Sequence, residues 1–183
     1  MKNLLYFIFF FSFSFIQAQN KYFSKDAKVH FFSDTKMEKI EGTNNKAVCV
    51  LDASTGALEM SLLVAGFKFE KALMEEHFQE NYMEISKFPK SGFKGKISNI
   101  SSVNFEKDGT YPVDVTGQLT IHGVTKDITT KGKIDIAKGV ISASSTFDVA
   151  CEDYNIAIAA LVRDKIAKSI KIDLIAKLQK LQK

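Results

Sequence analysis

YPVDVTGQLTIHGVT, residues 111–125, is the stretch on which the reading of this chain turns. Val113, Val115, Gly117, Leu119, Ile121 and Gly123 share one parity; Asp114, Thr116, Gln118, Thr120 and His122 share the other. A strand sends successive side chains to opposite faces, so this is a half-buried β-strand with one apolar and one wet face. Its glycines fall on the apolar face, where they remove volume and let a bulge, another backbone or a ligand come close. A turn-like break follows at His122-Gly123-Val124-Thr125-Lys126, and then a second alternating run. Ile128, Thr130, Gly132, Ile134 and Ile136 form one face of that run; Asp127, Thr129, Lys131, Lys133 and Asp135 form the other. The two runs make a hairpin.

Working outward, residues 27–32 and 47–52 read as short strands joined by a polar loop over 34–46. Asp52-Ala-Ser-Thr-Gly56 is a turn, because Asp caps backbone amides and Gly accepts positive φ. Residues 58–69 read as a long strand whose parity changes near Gly66, which points to a bulge or a sharp bend. Over residues 70–83 the period lengthens: Leu73, Met74, His77, Phe78 and Tyr82 recur at three- and four-residue steps, so a short amphipathic helix is expected there. Further strands are expected over 93–105, 141–151 and 168–179, with Lys107-Asp-Gly-Thr110 as a hairpin turn into the central strand. The total is about eight strands and one helix. Eight antiparallel strands close a barrel with room for one ligand, and the alternation alone fits a sandwich equally well.

The first eighteen residues stand apart. MKNLLYFIFFFSFSFIQA has a positive Lys2, an apolar run rich in Phe and a small residue at Ala18, the order of a secretory signal. The run is short for a membrane span of roughly 20 residues, and no cysteine follows it to carry a lipid. The expected domains are therefore a signal peptide over 1–18 and one β domain over 19–183, periplasmic or secreted and not membrane-spanning after cleavage. Removing Lys2 lowers the formal charge from +4 to +3. That charge is spread along the chain without a basic block, so nucleic acid is not an expected partner.

Three further segments carry a resemblance to a known family. They are Leu73-Met-Glu-Glu-His-Phe-Gln-Glu-Asn-Tyr-Met-Glu84, Phe88-Pro-Lys-Ser-Gly-Phe-Lys-Gly95 and Gly117-Gln-Leu-Thr-Ile-His-Gly-Val-Thr-Lys126, with Asp153-Tyr-Asn-Ile, Arg163-Asp-Lys-Ile166 and Ile170-Lys-Ile172 after them. Together they resemble the YceI-like family over nearly all of the chain beyond the leader. The resemblance implies an extended antiparallel β-barrel, lipocalin-like, with one short capping α-helix. It also implies an apolar tunnel that in some members holds a polyisoprenoid or another amphiphilic chain. One departure is visible: relatives often carry a proline after the Asp-Tyr pair, where this chain reads Ile156-Ala-Ile-Ala-Ala160.

Chemistry-bearing residues are few. His30, His77 and His122 lie far apart, without metal-ligand spacing; His77 reads as a packed core residue and His122 as a ring satisfying backbone groups at its turn. Glu75, Glu76 and Glu80 read as a solvated helix face. No nucleophile elbow, phosphate loop or Cys-His pairing occurs, so neither an enzyme nor a cofactor or metal is expected. Cys49 and Cys151 would staple an early strand to a late one if paired; otherwise they are small apolar core residues.

Two functions remain open. One is a carrier of a hydrophobic or amphiphilic small molecule, an isoprenoid or acyl chain, driven by apolar burial. The other is a filled barrel acting as an envelope or stress-associated interaction protein; a homodimer is open in either case. For the carrier, the expected tunnel wall is Phe67, Phe69, Phe78, Phe93, Val115, Gly117, Leu119, Ile121, Phe147, Val149, Ile170 and Ile172, with Gly117 leaving space that a side chain would fill.

Overall fold

Residues 20–181 are described by a computed structural model, and the leader-like segment lies outside them. Eight antiparallel strands follow one another around a closed barrel: β1 (Lys21–Asp34), β2 (Lys39–Asp52), β3 (Ala57–Leu63), β4 (Lys90–Ile97), β5 (Gly109–Ile121), β6 (Val124–Ala137), β7 (Val140–Ala150) and β8 (Ser169–Lys180). β8 pairs back onto β1, so the sheet has no free edge. The barrel expected from the resemblance is the observed fold, and the sandwich is not. Outward positions carry residues such as Asp114, Gln118, Asp127 and Lys131, so the barrel is apolar within and polar without.

The hairpin read from residues 111–136 is β5–β6, paired over its full length from Gly109↔Ile136 to Ile121↔Val124. Its turn holds both central residues at positive φ, His122 at 50° and Gly123 at 73°. Lys138 and Gly139, at 50° and 77°, do the same between β6 and β7. These are two-residue turns whose twist matches that of the strands they join. At the β2–β3 turn the Asp52 carboxylate accepts hydrogen bonds from the Ser54 and Thr55 amides, and Gly56 takes φ 79°.

Five expectations need correction. The loop over 34–46 is mostly strand, because β2 begins at Lys39 and β1 runs on to Asp34. Its inward places fall to Gly42, where the Phe31 ring sits 2.6 Å from where a Cβ would be, and to Asn44. Asn44 is fully buried, its Nδ2 donating to Leu63 O and its Oδ1 accepting from Lys46 N. A face made of Gly and Asn does not look apolar, although it points inward. β3 is shorter than 58–69 and ends at Leu63, in a 3₁₀ turn over Val64–Gly66 that accounts for the parity change. β4 ends at Ile97, not at 105. There Asn99 bridges β5 by its side chain, donating to Pro112 O and accepting from Asp114 N, in place of a further strand residue.

Residues 98–108 instead cross the bottom of the barrel, burying Val103 and stacking Phe105 on Tyr22 at 5.2 Å. The Lys107–Thr110 stretch is therefore no hairpin turn; Asp108 accepts from the Lys138 amide of the β6–β7 turn. Last, the helix is α1 (Ala72–His77) continued by a π turn over Phe78–Tyr82, shorter than the 70–83 expected. Phe78 anchors it in an aromatic cluster with Phe31, Phe67 and Phe69, at centroid distances of 5.0–5.8 Å.

The two ends of the barrel differ. One end holds the β2–β3 and β6–β7 turns and the crossing loop, above a packed core of Leu51, Ile97, Ile134, Ile136, Ile141 and Leu178. At the other end lie the β1–β2 turn, the helical connection over 64–89, the His122–Gly123 turn and the long connection over 151–168.

Candidate ligand cavity

A cavity of about 630 Å³ occupies the interior toward the end that carries α1. Its size lies within the range of about 300–1,000 Å³ of small-molecule sites. The bottom is set by Leu51 and Ile134, both fully buried. The walls are Leu58, Met60 and Leu62 of β3 and the inward side chains of β5 to β8. Exposed Lys71, Leu73, His77 and Lys165, with half-buried Glu38 and Val162, form the rim.

Eleven of the twelve side chains expected at the wall line this cavity: Phe67, Phe69, Phe78, Phe93, Val115, Leu119, Ile121, Phe147, Val149, Ile170 and Ile172. Gly117 does not. It pairs directly with Gly95 across β4 and β5, and a Cβ on it would lie 2.5 Å from Gly95 Cα and from Lys94 O. The Phe93 ring covers the glycine pair, its Cζ 2.7 Å from the same point. The space that the sequence suggested at Gly117 is occupied by a neighbouring backbone and a ring.

Sequence reasoning missed Val29, Phe31, Ile40, Tyr82, Met83 and Ile156 on the wall. Phe31 stands beside Phe32 in a run where both faces look apolar. Phe32 points outward, beneath Lys171 Nζ at 5.2 Å from its ring, while Phe31 turns in. The β1 bulges between Ser24 and Val29 hide the parity that would have separated the two.

The polar interior is small and internally bonded. Ser145 Oγ donates to Lys131 O at 2.8 Å and lies 3.5 Å from Thr130 Oγ1, halfway up the wall. Among the described residues every buried side-chain nitrogen or oxygen has a hydrogen-bond partner, and no three metal-capable side chains gather. His77, expected in the core, is exposed at the rim. His122 is buried at its turn, with Nδ1 3.1 Å from Tyr154 O, Nε2 3.1 Å from Glu84 Oε2, and Phe88 edge-on at 4.6 Å. It ties the β5–β6 turn to both long connections. Lys87 first and His122 second hold the Glu84 carboxyl below its ordinary value. The two thiols, whose pairing the sequence left open, are free and both line the cavity. Burial pushes Cys49 up to about 11 and raises Cys151 as well.

Above Gly132↔Ser145, β6 and β7 no longer pair, though both strands continue. Tyr154 and Ile156 pack there with Leu119, Val149, Ile128 and Phe147, and Lys126 holds Asp153 at 2.5 Å. Ile156, the first residue of the proline-free segment 156–160, thus joins the wall of the upper barrel.

A closed antiparallel barrel around an apolar, one-ended cavity is the frame of a small-molecule-binding β-barrel. This chain belongs to the YceI-like family, whose domain description matches residues 22–178. Similar structures include a polyisoprenoid binding domain from Saccharophagus degradans implicated in plant cell wall breakdown, with TM-score 0.77 and 12% identity, covering 89% of this chain and 99% of that one. BcnA of Burkholderia cenocepacia superposes with TM-score 0.69 and 17% identity, over 84% and 96% of the two chains. A Campylobacter jejuni YCEI protein gives TM-score 0.56 and 20% identity, over 78% and 85%. At these identities the likeness is one of fold. No curated protein matches the sequence. No helix among the described residues is long and apolar enough to cross a membrane.

Proposed function

We propose that this protein binds a long apolar or amphiphilic chain, isoprenoid or acyl, inside the barrel and carries it in the periplasm or outside the cell. The observation that carries the reading is the 630 Å³ cavity with its nearly all-apolar wall. At the ~30 Å³ of a water-sized group, it accepts a chain of roughly twenty carbons. Ten buried methylenes at about 0.8 kcal/mol each give about 8 kcal/mol, comparable to the cost of immobilising a ligand. The polyisoprenoid-binding domain of the same fold lends support, as does the family to which both the sequence and the barrel point. The charged, apolar and small-residue order of residues 1–18 motivates the location.

Native mass spectrometry of the purified protein should find a lipid-sized mass bound, and the mature N-terminus should lie near Gln19. Ala143, which pairs with Ile134 low on the wall, offers a depth gauge. Ala143→Phe should shorten the longest chain retained while the folded β spectrum is kept. If folded wild type retains no chain from a panel of isoprenols and fatty acids, the carrier reading fails.

A further inference from the structure

Charge at the cavity rim is sorted. α1 and its flanks put Lys71, Met74, His77 and Phe78 on the cavity, while Glu75, Glu76 and Glu80 line a shallow groove on the outside with Glu70 and Gln79. Glu75 is already engaged outside the cavity, accepting from Lys68 Nζ at 2.5 Å, the Phe69 amide at 3.3 Å and Gln79 Nε2 at 3.4 Å. The lysine ion pairs of this end are Lys68–Glu75, Lys87–Glu84, Lys126–Asp153 and Lys165–Glu38. They leave Lys71 without a carboxylate partner among the described residues. Lys165 lies on the rim from the 151–168 connection, 3.7 Å from Glu38, the one carboxylate among the described residues that reaches the cavity. The mouth therefore carries two lysines against one glutamate, above a mostly apolar wall; Lys133, the third lysine at the cavity, is held by Asp135 at 2.9 Å.

We propose that the cavity selects amphiphiles with an anionic head, a carboxylate or a phosphate, which stays at the rim with Lys71 and Lys165 while the chain fills the barrel. This rests on the chain-binding reading above. An ionised head cannot descend into an apolar interior without losing its hydration, so it stops at the mouth, where the lysine ammonium groups meet it with charge-assisted hydrogen bonds. A neutral head of the same chain length gains nothing from either lysine. Glu38 repels an anion but is drawn toward Lys165, and Lys71 is the cation left free to answer the ligand.

The test is calorimetric titration of the full mature chain at low salt with palmitate, hexadecyl phosphate, hexadecanol and methyl palmitate. The two anions should bind about ten-fold tighter than the two neutral ligands, a difference of about 1.4 kcal/mol, and the gap should close as salt screens the rim. Lys71→Ala should remove most of that gap, and Lys71→Glu should place the anions below the alcohol. Lys131→Ala, on the outer wall, should keep the preference. Either anion alone showing the preference supports the proposal and names the head. Neutral and anionic ligands of equal affinity overturn it and leave chain binding intact. If none of the four binds, this inference falls, and the chain-binding reading is decided separately by the isoprenol panel above.

Discussion

Replacing Gly117 by alanine isolates the one place where the sequence promised space and the fold has none. The new Cβ would lie 2.5 Å from Gly95 Cα, 2.5 Å from Lys94 O and 2.7 Å from Phe93 Cζ. Carbon atoms pack best at about 3.5–4.0 Å, so each contact must open by roughly 1 Å. Phe93 can turn its ring away; the two backbone atoms cannot move alone. β4 is held on both sides, from Ala57↔Lys96 to Leu63↔Lys90 against β3 and from Gly92↔Thr120 to Ile97↔Val115 against β5. Overpacking of this kind costs about 1–3 kcal/mol, and a clash with fixed backbone belongs at the upper end.

At about 2–4 °C per kcal/mol for a domain of this size, Gly117→Ala should lower the melting temperature by about 6–12 °C. Gly139→Ala is the control: its φ of 77° is strained for alanine but nothing lies within 4 Å, so the cost should be about 1–2 kcal/mol. Urea unfolding of both variants, and of Gly117→Ala in a Phe93→Ala background, separates the contributions. The backbone argument requires Gly117→Ala to cost at least about 2 kcal/mol even without the ring. A full rescue by Phe93→Ala, or a loss below about 1 kcal/mol in the wild-type background, would refute it.

Two further outcomes are expected. Glu84 is held below its ordinary value by Lys87 and His122, so its contribution is complete above the unfolded carboxylate value of about 4.3 and is lost as pH falls through the lower folded value. Urea midpoints for wild type and Glu84→Gln should therefore converge between about pH 5 and 3, and parallel curves across that window would contradict the pairing. Cys49, with its thiol near 11 and fully buried, should react with iodoacetamide at pH 8 more slowly than half-buried Cys151. A bound chain should slow both, as read by peptide mass mapping; faster labelling of Cys49 in the folded protein would count against its place on the inner wall.

How far the fold could be read depended on what fills the inward positions. β5, β6 and β7 were legible because Val113, Val115, Leu119, Ile134, Ile136, Ile141 and Val149 keep strict alternation, and their turns fall on Gly123 and Gly139. β2 was half hidden, since its inward side is Gly42 under a ring and Asn44 in its own hydrogen bonds. The end of β4 was misplaced because Val103 and Phe105 look like strand residues, whereas Asn99 closes the ladder by its side chain and releases them to cover the barrel bottom. Parity found most of the wall and could not find Gly117's neighbour, which lies on another strand.

What parity could not supply was depth along the barrel, and depth separates core from cavity. On β6, Ile136 is core and Ile134 meets the cavity; on β7 the border falls between Ile141 and Ala143; on β8 it falls between Ala176 and Leu174. All six face inward, and the border steps up by one inward position from β7 to β8, where Ala143 pairs with Ala176. Just above it, beyond Gly132↔Ser145, β6 and β7 cease to pair. Leu51 and Ile97 form the floor, and the Phe105–Tyr22 stack lies at the closed end. At the other end, the connections over 64–89 and 151–168 cover the barrel with helix and turns and leave the cavity beneath them. Depth along the barrel, which alternation does not encode, thus decides whether an inward Ile or Val packs in the core or faces the cavity.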